Sequence, residues 1–356
     1  MRAVRLTGWQ SPPELCDVPD PTPGPGEILL RVGGAGLCHS DLHLMHWPAG
    51  TLPYDLPFTL GHEVTGTVVE LGPGADGFRV GDAVVVYGPW GCGVCRRCGR
   101  GEEHLCERAS ETRERGCGLG RDGGLADYLV VPSSRLLVAL GDLDPVTAAP
   151  LADAGLTPYH AIRRALPHLQ PGTSAIVIGI GGLGHVAVQL LRTLSAATVV
   201  AVDVRAAALE VALHAGAHTA LIADDAIDAE LRRVIGPGGA GLVIDCVGSD
   251  ATLALAGAAV APGGHVAIIG MAGGTFPMRR GGVAMETPVV ISNWGTRAEL
   301  AEVVALARAG RIELEVEPVA LPDVVAAYGR LERGEVRGRL VAVPGKAHET
   351  GAAHDA

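Results

Sequence analysis

Long uncharged apolar runs are absent from this chain. No apolar stretch of about 18 residues, the length a membrane-spanning helix needs, goes uninterrupted by charges or glycine clusters, so a membrane span is not expected. The opening residues, MRAVRLTGWQ, hold no apolar segment of the kind a secretory signal requires, and no export signal is expected. Positive charge is also sparse. No block of Lys or Arg exceeds two residues and the formal net charge is −11, which argues against nucleic acid or an anionic membrane as partner. No internal repeat or low-complexity block interrupts the chain. Cysteine is scarce too, at 8 in 356 residues, yet four of the eight crowd into CGVCRRCGRGEEHLC. Without an export signal such crowding favours a metal over disulfides and a cytoplasmic protein.

What is present is enough apolar material, 48% of 356 residues, for roughly two domains of ordinary size. Residues 1 to about 150 carry short β-type runs, EILLRV, EVTGTVVEL, DAVVVY and YLVVP, among Gly- and Pro-rich loops, and predict a mainly β domain. From about 154 the rhythm changes to strand–helix alternation. SAIVIGI leads through a Gly-rich turn into HVAVQLLRTL, and ATVVAVDV, LVIDCVG and HVAIIG follow with Ala-rich helical segments between them. Alternating β and α units predict a doubly wound parallel sheet, so the fold class is α/β. After about 290 come the helical RAELAEVVALARAG and a last strand in GEVRGRLVAV. The tail GKAHETGAAHDA is polar and small and is expected to fray.

The turn GIGGLG, Gly179 to Gly184, lies between an apolar strand and an apolar helix, and the next strand ends in an acid, Asp203. A glycine pattern alone says little; this context says more. Gly179 would make the tight turn, Gly181 would let a pyrophosphate approach the backbone, and Gly184 would allow close helix–strand packing. Gly182 and Leu183 complete the turn, and the helix N-terminus offers N–H donors to phosphate. A carboxylate at Asp203 can bond both ribose hydroxyls and repels a 2′-phosphate, which favours NAD over NADP; Arg205, two residues on, argues the other way. The competing reading is a Gly-rich turn with a surface acid.

Cys92, Cys95, Cys98 and Cys106 stand at spacings that let one loop wrap four thiolates around a tetrahedral ion. Four sulfurs close the coordination shell, so a zinc here would be structural. Disulfides or free thiols are the alternative. In PLADAGLTPYHAI, Asp153 reads locally as a helix cap, because an acid near a helix start accepts its orphan N–H groups.

GAGLCHSDLHLMH and LPFTLGHEVTGTVVELG, together with the cysteine lobe and GIGGLG, resemble the zinc-dependent medium-chain alcohol dehydrogenases over residues 1 to 344. The resemblance implies a GroES-like catalytic domain over 1–153 and 291–356 and a Rossmann NAD-binding domain over 154–290. It implies two zincs per subunit, one catalytic, held by Cys38, His62 and the residue matching a third ligand that is often Cys. Here that residue is Asp153, as in some alcohol-oxidising branches. A thiolate, a carboxylate and a neutral imidazole still balance Zn²⁺, and a carboxylate lies within zinc's accepted donors.

Further roles follow from the same resemblance. Glu63 would lie beside the zinc and exchange with water or substrate. Asp41 would accept the His62 ring N–H, unless it only caps a helix. Ser40 would take the alcohol proton and His43 relay it, unless His43 is an ordinary pocket residue. His39 and Arg339 would meet the cofactor pyrophosphate, a solvated Arg339 being the alternative, and Thr157 would back the nicotinamide. Trp47, Tyr54, Leu119, Met271 and Trp294 are candidate substrate walls by position. Bulky and apolar, they suit an aliphatic or aryl alcohol or ketone, and the Asp-ligand branch acts largely on secondary alcohols. Competing expectations are a relative acting on polyols, threonine or aldehydes, and a non-catalytic NAD-binding scaffold. A homo-oligomer, tetramer or dimer, is expected.

Overall fold

A computed structural model describes residues 1–111 and 116–345, which form two compact units. Of these residues, the first comprises 1–99, 105–111, 116–152 and 316–345; the second comprises 100–104 and 153–315.

The first unit is built on a mixed seven-stranded sheet. Its main path runs Leu137–Ala139, Ala83–Val86, Glu63–Leu71, Ile28–Gly36, Arg339–Val343, Val316–Ala320, with Tyr128–Val131 also paired to Ile28–Gly36. The strand Ile28–Gly36 is the hub because it is nearly continuously apolar and can be covered on both faces. Its antiparallel register with Glu63–Leu71 sets Gly36 opposite Glu63. The residues just past one strand and just before the other, Cys38 and His62, therefore emerge at the same end of the sheet. Arg339–Val343 lies on the other side of the hub, with Val341 opposite Gly36, which brings Arg339 to that end as well.

The second unit is a six-stranded parallel sheet in the order Thr219–Ile222, Thr198–Asp203, Ser174–Ile178, Ala240–Asp245, Val260–Ile268, Val289–Ile291. Numbered along the chain this is 3-2-1-4-5-6, the doubly wound order of a Rossmann domain. Ser174–Ile178 and Ala240–Asp245 are buried at every position, as strands covered by helices on both faces must be. The core gathers Ile176, Ile178, Val200, Val202, Val243 and Val266, each contributing about 1.5–3 kcal/mol by leaving water. The protein is thus α/β, a mainly β unit and a Rossmann unit. Among the described residues no helix is long and apolar enough to cross a membrane.

Candidate metal and dinucleotide sites

Cys38 ends the hub strand's extension and is the N-cap of the helix His39–His46, His62 immediately precedes the strand Glu63–Leu71, and Asp153 directly follows the 3-10 turn Ala149–Ala152. All three are buried, and their donor atoms lie within 4.8 Å of one another. Two potential anions and an imidazole buried at such range repel or desolvate one another unless a cation neutralises them. Thiolate, imidazole and carboxylate are all zinc donors, and the set matches the charge of Zn²⁺.

Each donor is held by neighbours. Asp41 uses one carboxylate oxygen, Oδ2, to accept the Cys38 backbone N–H at 3.0 Å and the Tyr328 hydroxyl at 2.9 Å. Its other oxygen faces His62 Nδ1 at 3.3 Å, slightly longer than an ordinary N–H···O bond. Asp41 therefore caps the helix and also faces the imidazole. An imidazole turned with Nδ1 toward a carboxylate presents Nε2 to a metal. Burial first, and then the Asp41 carboxylate, raise the Tyr328 phenol well above its ordinary pKa, so it stays a proton donor.

Asp153 is not the cap of the helix Leu156–Ala165. The N-cap is Gly155, and Asp153 lies two residues ahead of it, too early to reach the first free N–H groups as a cap does. Its Oδ1 instead accepts the Thr157 hydroxyl at 2.6 Å. Thr157 Oγ1 in turn accepts the Trp294 backbone N–H at 2.9 Å. Trp294 has φ 53°, a left-handed conformation rare for so bulky a residue, and such positions cost about 1–3 kcal/mol.

The four cysteines of the lobe form the second donor cluster, with sulfurs within 4.8 Å of one another. Cys92 Sγ and Cys98 Sγ are 3.9 Å apart. A disulfide needs about 2.05 Å, whereas four thiolates around zinc at about 2.3 Å stand about 3.8 Å apart. Backbone N–H groups of Cys95, Cys98 and Cys92 donate to the sulfurs of Cys92, Cys95 and Cys106, each at 3.4 Å. The N–H bonds of Cys98 and Glu107 lower the Cys95 thiol to about 6, and such bonds also lower Cys92, while burial raises Cys98.

In the glycine turn, Gly179 has φ 85°, and a side chain on Gly184 would collide with the Gly179 carbonyl. Gly181 is exposed with nothing within 4 Å of where a Cβ would stand. That clear space in front of the N-terminus of the helix Gly184–Leu194 is what an approaching pyrophosphate requires. Asp203 Oδ2 accepts the Ile180 N–H at 2.7 Å, which ties the turn to the end of the second strand.

The alcohol dehydrogenase GroES-like domain model matches residues 24–142, and the zinc-binding dehydrogenase model matches residues 182–309. A NAD-dependent alcohol dehydrogenase of Sulfurisphaera tokodaii is 36% identical over 356 residues, with 97% of this chain and 100% of that protein covered. The chain belongs to the zinc-dependent medium-chain alcohol dehydrogenases. A D-arabinose 1-dehydrogenase (NADP(+)) of Saccharolobus solfataricus is 35% identical over 96% of this dehydrogenase and 97% of its own length. The solved alcohol dehydrogenase of the archaeon Aeropyrum pernix superposes with a TM-score of 0.88 at 34% identity, covering 97% of this chain and 100% of that one.

Several residues of this dehydrogenase lie differently from the sequence reading. Glu63 and Arg339 are both buried and paired with each other: Arg339 Nε donates to Glu63 Oε2 at 2.9 Å, and Nη2 donates to Oε1. A solvated Arg339 is ruled out at 3% exposure, and Glu63 binds a guanidinium where an exchangeable metal neighbour was expected. The sheet register explains the pairing, since Gly36 faces both Glu63 and Val341. Arg205 Nε donates to Asp203 Oδ1 at 3.2 Å, so its charge sits on the acid. Ser40 is half-buried with Oγ 3.5 Å from Cys38 Sγ, and His39 is exposed at the first position of its helix. His43 is half-buried and stacks on Trp47 at 6.0 Å and 19°. Burial chiefly, and then His46, lower its pKa below the usual 6.5.

Of the proposed walls, Tyr54 and Trp294 are buried, Trp47 and Leu119 half-buried, and Met271 is 52% exposed. Tyr54 packs edge-on to Phe58. Cys117 is a buried thiol whose Sγ lies 3.6 Å from the Gly61 carbonyl. Burial pushes it up to about 12, and it remains neutral. Sequence reasoning missed Tyr328, which sits in a helix of ordinary amphipathic pattern and carries no local signature.

Proposed function

We propose that this dehydrogenase interconverts alcohols and their carbonyl partners with NAD, at a catalytic zinc held by Cys38, His62 and Asp153, with a structural zinc in the cysteine lobe. The buried three-donor cluster within 4.8 Å carries the proposal. When bound there, zinc supplies Lewis acidity toward an alcohol or carbonyl oxygen and NAD supplies the hydride acceptor.

The chain's own residues do the rest. Asp41 and Thr157 hold His62 and Asp153 in orientation. Ser40 Oγ, beside Cys38, is the group placed to accept the alcohol's proton, and His43, kept neutral by burial, is the base that takes it onward. Gly179, Gly181 and Gly184 shape the phosphate turn, and Asp203 supports NAD because its carboxylate opposes a 2′-phosphate. Tyr54 and Trp294, with Trp47, favour aliphatic or aryl substrates, secondary alcohols among them. The D-arabinose relative supports a second reading, oxidation of a sugar or polyol hydroxyl. Association into a homo-oligomer draws support from the exposed Met278, Met285 and Ile291 of the second unit.

A screen of NAD reduction over primary, secondary and aryl alcohols, polyols, D-arabinose and L-threonine tests the proposal. Highest kcat/KM on a secondary or aryl alcohol is expected. Turnover confined to polyols, sugars or threonine contradicts the substrate assignment, and no turnover of any contradicts the function.

A further inference from the structure

We propose that Thr157 is a positioning residue for the metal carboxylate Asp153, anchored by the left-handed backbone at Trp294. The inference rests on the reading that Cys38, His62 and Asp153 hold a zinc, and it assigns a task to a hydroxyl that the sequence placed only behind the nicotinamide.

The polarity of the hydrogen-bond chain follows from chemistry. The Trp294 backbone N–H can only donate, and it lies 2.9 Å from Thr157 Oγ1. That contact uses a lone pair of the hydroxyl and leaves its single proton for Asp153 Oδ1, 2.6 Å away. The chain therefore runs from Trp294 N–H through Thr157 O–H to Asp153. All three residues are buried, so no bulk water competes for these bonds. Thr157 also donates its backbone N–H to the Asp153 carbonyl at 2.8 Å, so the two residues are locked one helical turn apart.

A carboxylate ligand needs such an anchor more than a thiolate does. A thiolate offers one donor atom, whereas a carboxylate turns about its Cβ–Cγ bond and exchanges one oxygen for the other. A hydroxyl bonded to Oδ1 fixes that rotation and still leaves lone pairs for a cation, because an ionised carboxylate has about four acceptor sites. Trp294 holds φ 53° while its N–H bonds Thr157, so the loop around Trp294 holds the hydroxyl that orients Asp153.

The test is zinc release from the purified holoenzyme into excess chelator, followed by a colorimetric zinc indicator. Thr157→Val keeps the shape and removes the hydroxyl; Thr157→Ser keeps the hydroxyl. Thr157→Val is expected to release one zinc about 10- to 100-fold faster than wild type, with the cysteine-lobe zinc unchanged and Thr157→Ser close to wild type. In an Asp153→Cys background, where no carboxylate remains to orient, adding Thr157→Val is expected to leave release unchanged. If Thr157→Val does not fold, Thr157→Ala carries the same expectations. Wild-type release rates in the hydroxyl-free variants, equal acceleration in Thr157→Ser, or an undiminished effect in the Asp153→Cys background would each overturn the proposal. A wild-type enzyme holding only the lobe zinc would instead overturn the metal reading, and this inference with it.

Discussion

Asp41 does three things with two oxygens, which makes it a sharp probe of the metal site. With Asn at this position, the amide oxygen can still accept from Cys38 N and Tyr328, but the amide NH₂ then faces His62 Nδ1. The imidazole must accept there and protonate Nε2, the nitrogen a metal requires. Asp41→Asn is therefore expected to weaken zinc binding at this site about 10- to 100-fold, with the lobe zinc retained; metal analysis after dialysis against a weak chelator checks it. His43 gives a pH prediction. Burial disfavours its cation, so the ring stays neutral and able to accept a proton at pH 7 and loses that ability only below its lowered pKa. The acid limb of kcat for alcohol oxidation is expected below pH 6.5, and His43→Ala is expected to lower kcat about 100-fold and remove that limb. An unchanged pH–rate profile in His43→Ala would remove His43 from the relay.

The helices Leu156–Ala165 and Arg297–Arg308 are joined by polar contacts: His160 Nδ1 to Glu299 at 2.8 Å, and Tyr159 to Glu302 at 2.6 Å. Glu299 also closes the capping box of the second helix with Thr296. Burial raises the Glu299 pKa, but the His160 bond and the Thr296 N–H outweigh it and hold the carboxyl below its usual value. A depressed acid contributes stability above its unfolded pKa and loses it as pH falls through the folded value. Glu299→Gln, which can still close the cap, is expected to lose about 1 kcal/mol at pH 7. The gap to wild type should close as pH falls below about 4.5, as read from urea unfolding at several pH values; a gap that stays constant would rule out the ionic contribution.

Legibility in the sequence follows the same scale. The cysteine lobe, the glycine turn and the fully buried strands show in the sequence because their partners are neighbours or their burial is continuous. The edge strands Thr219–Ile222 and Val289–Ile291 are short and only partly buried, and leave no clear pattern. Asp153 reads as a candidate metal donor only through resemblance, since its local setting suits a cap. Tyr328 and Asp41 are 287 residues apart, and Arg339 and Glu63 are 276 apart. Such pairs exist because of strand order and helix packing, which no local spacing encodes.

For the whole molecule, two donor clusters of different chemistry stand on one chain, and they are expected to respond separately. A zinc in the four-sulfur lobe would be closed off by its donors and would support the fold, whereas one held by Cys38, His62 and Asp153 would keep a position for substrate. The most direct test counts zinc and measures NAD reduction on the same samples of wild type and Asp153→Ala. Two zincs per chain and alcohol-dependent NAD reduction are expected in wild type, with one zinc and no measurable turnover in the variant. One zinc in wild type, or full activity in Asp153→Ala, would contradict the assignment.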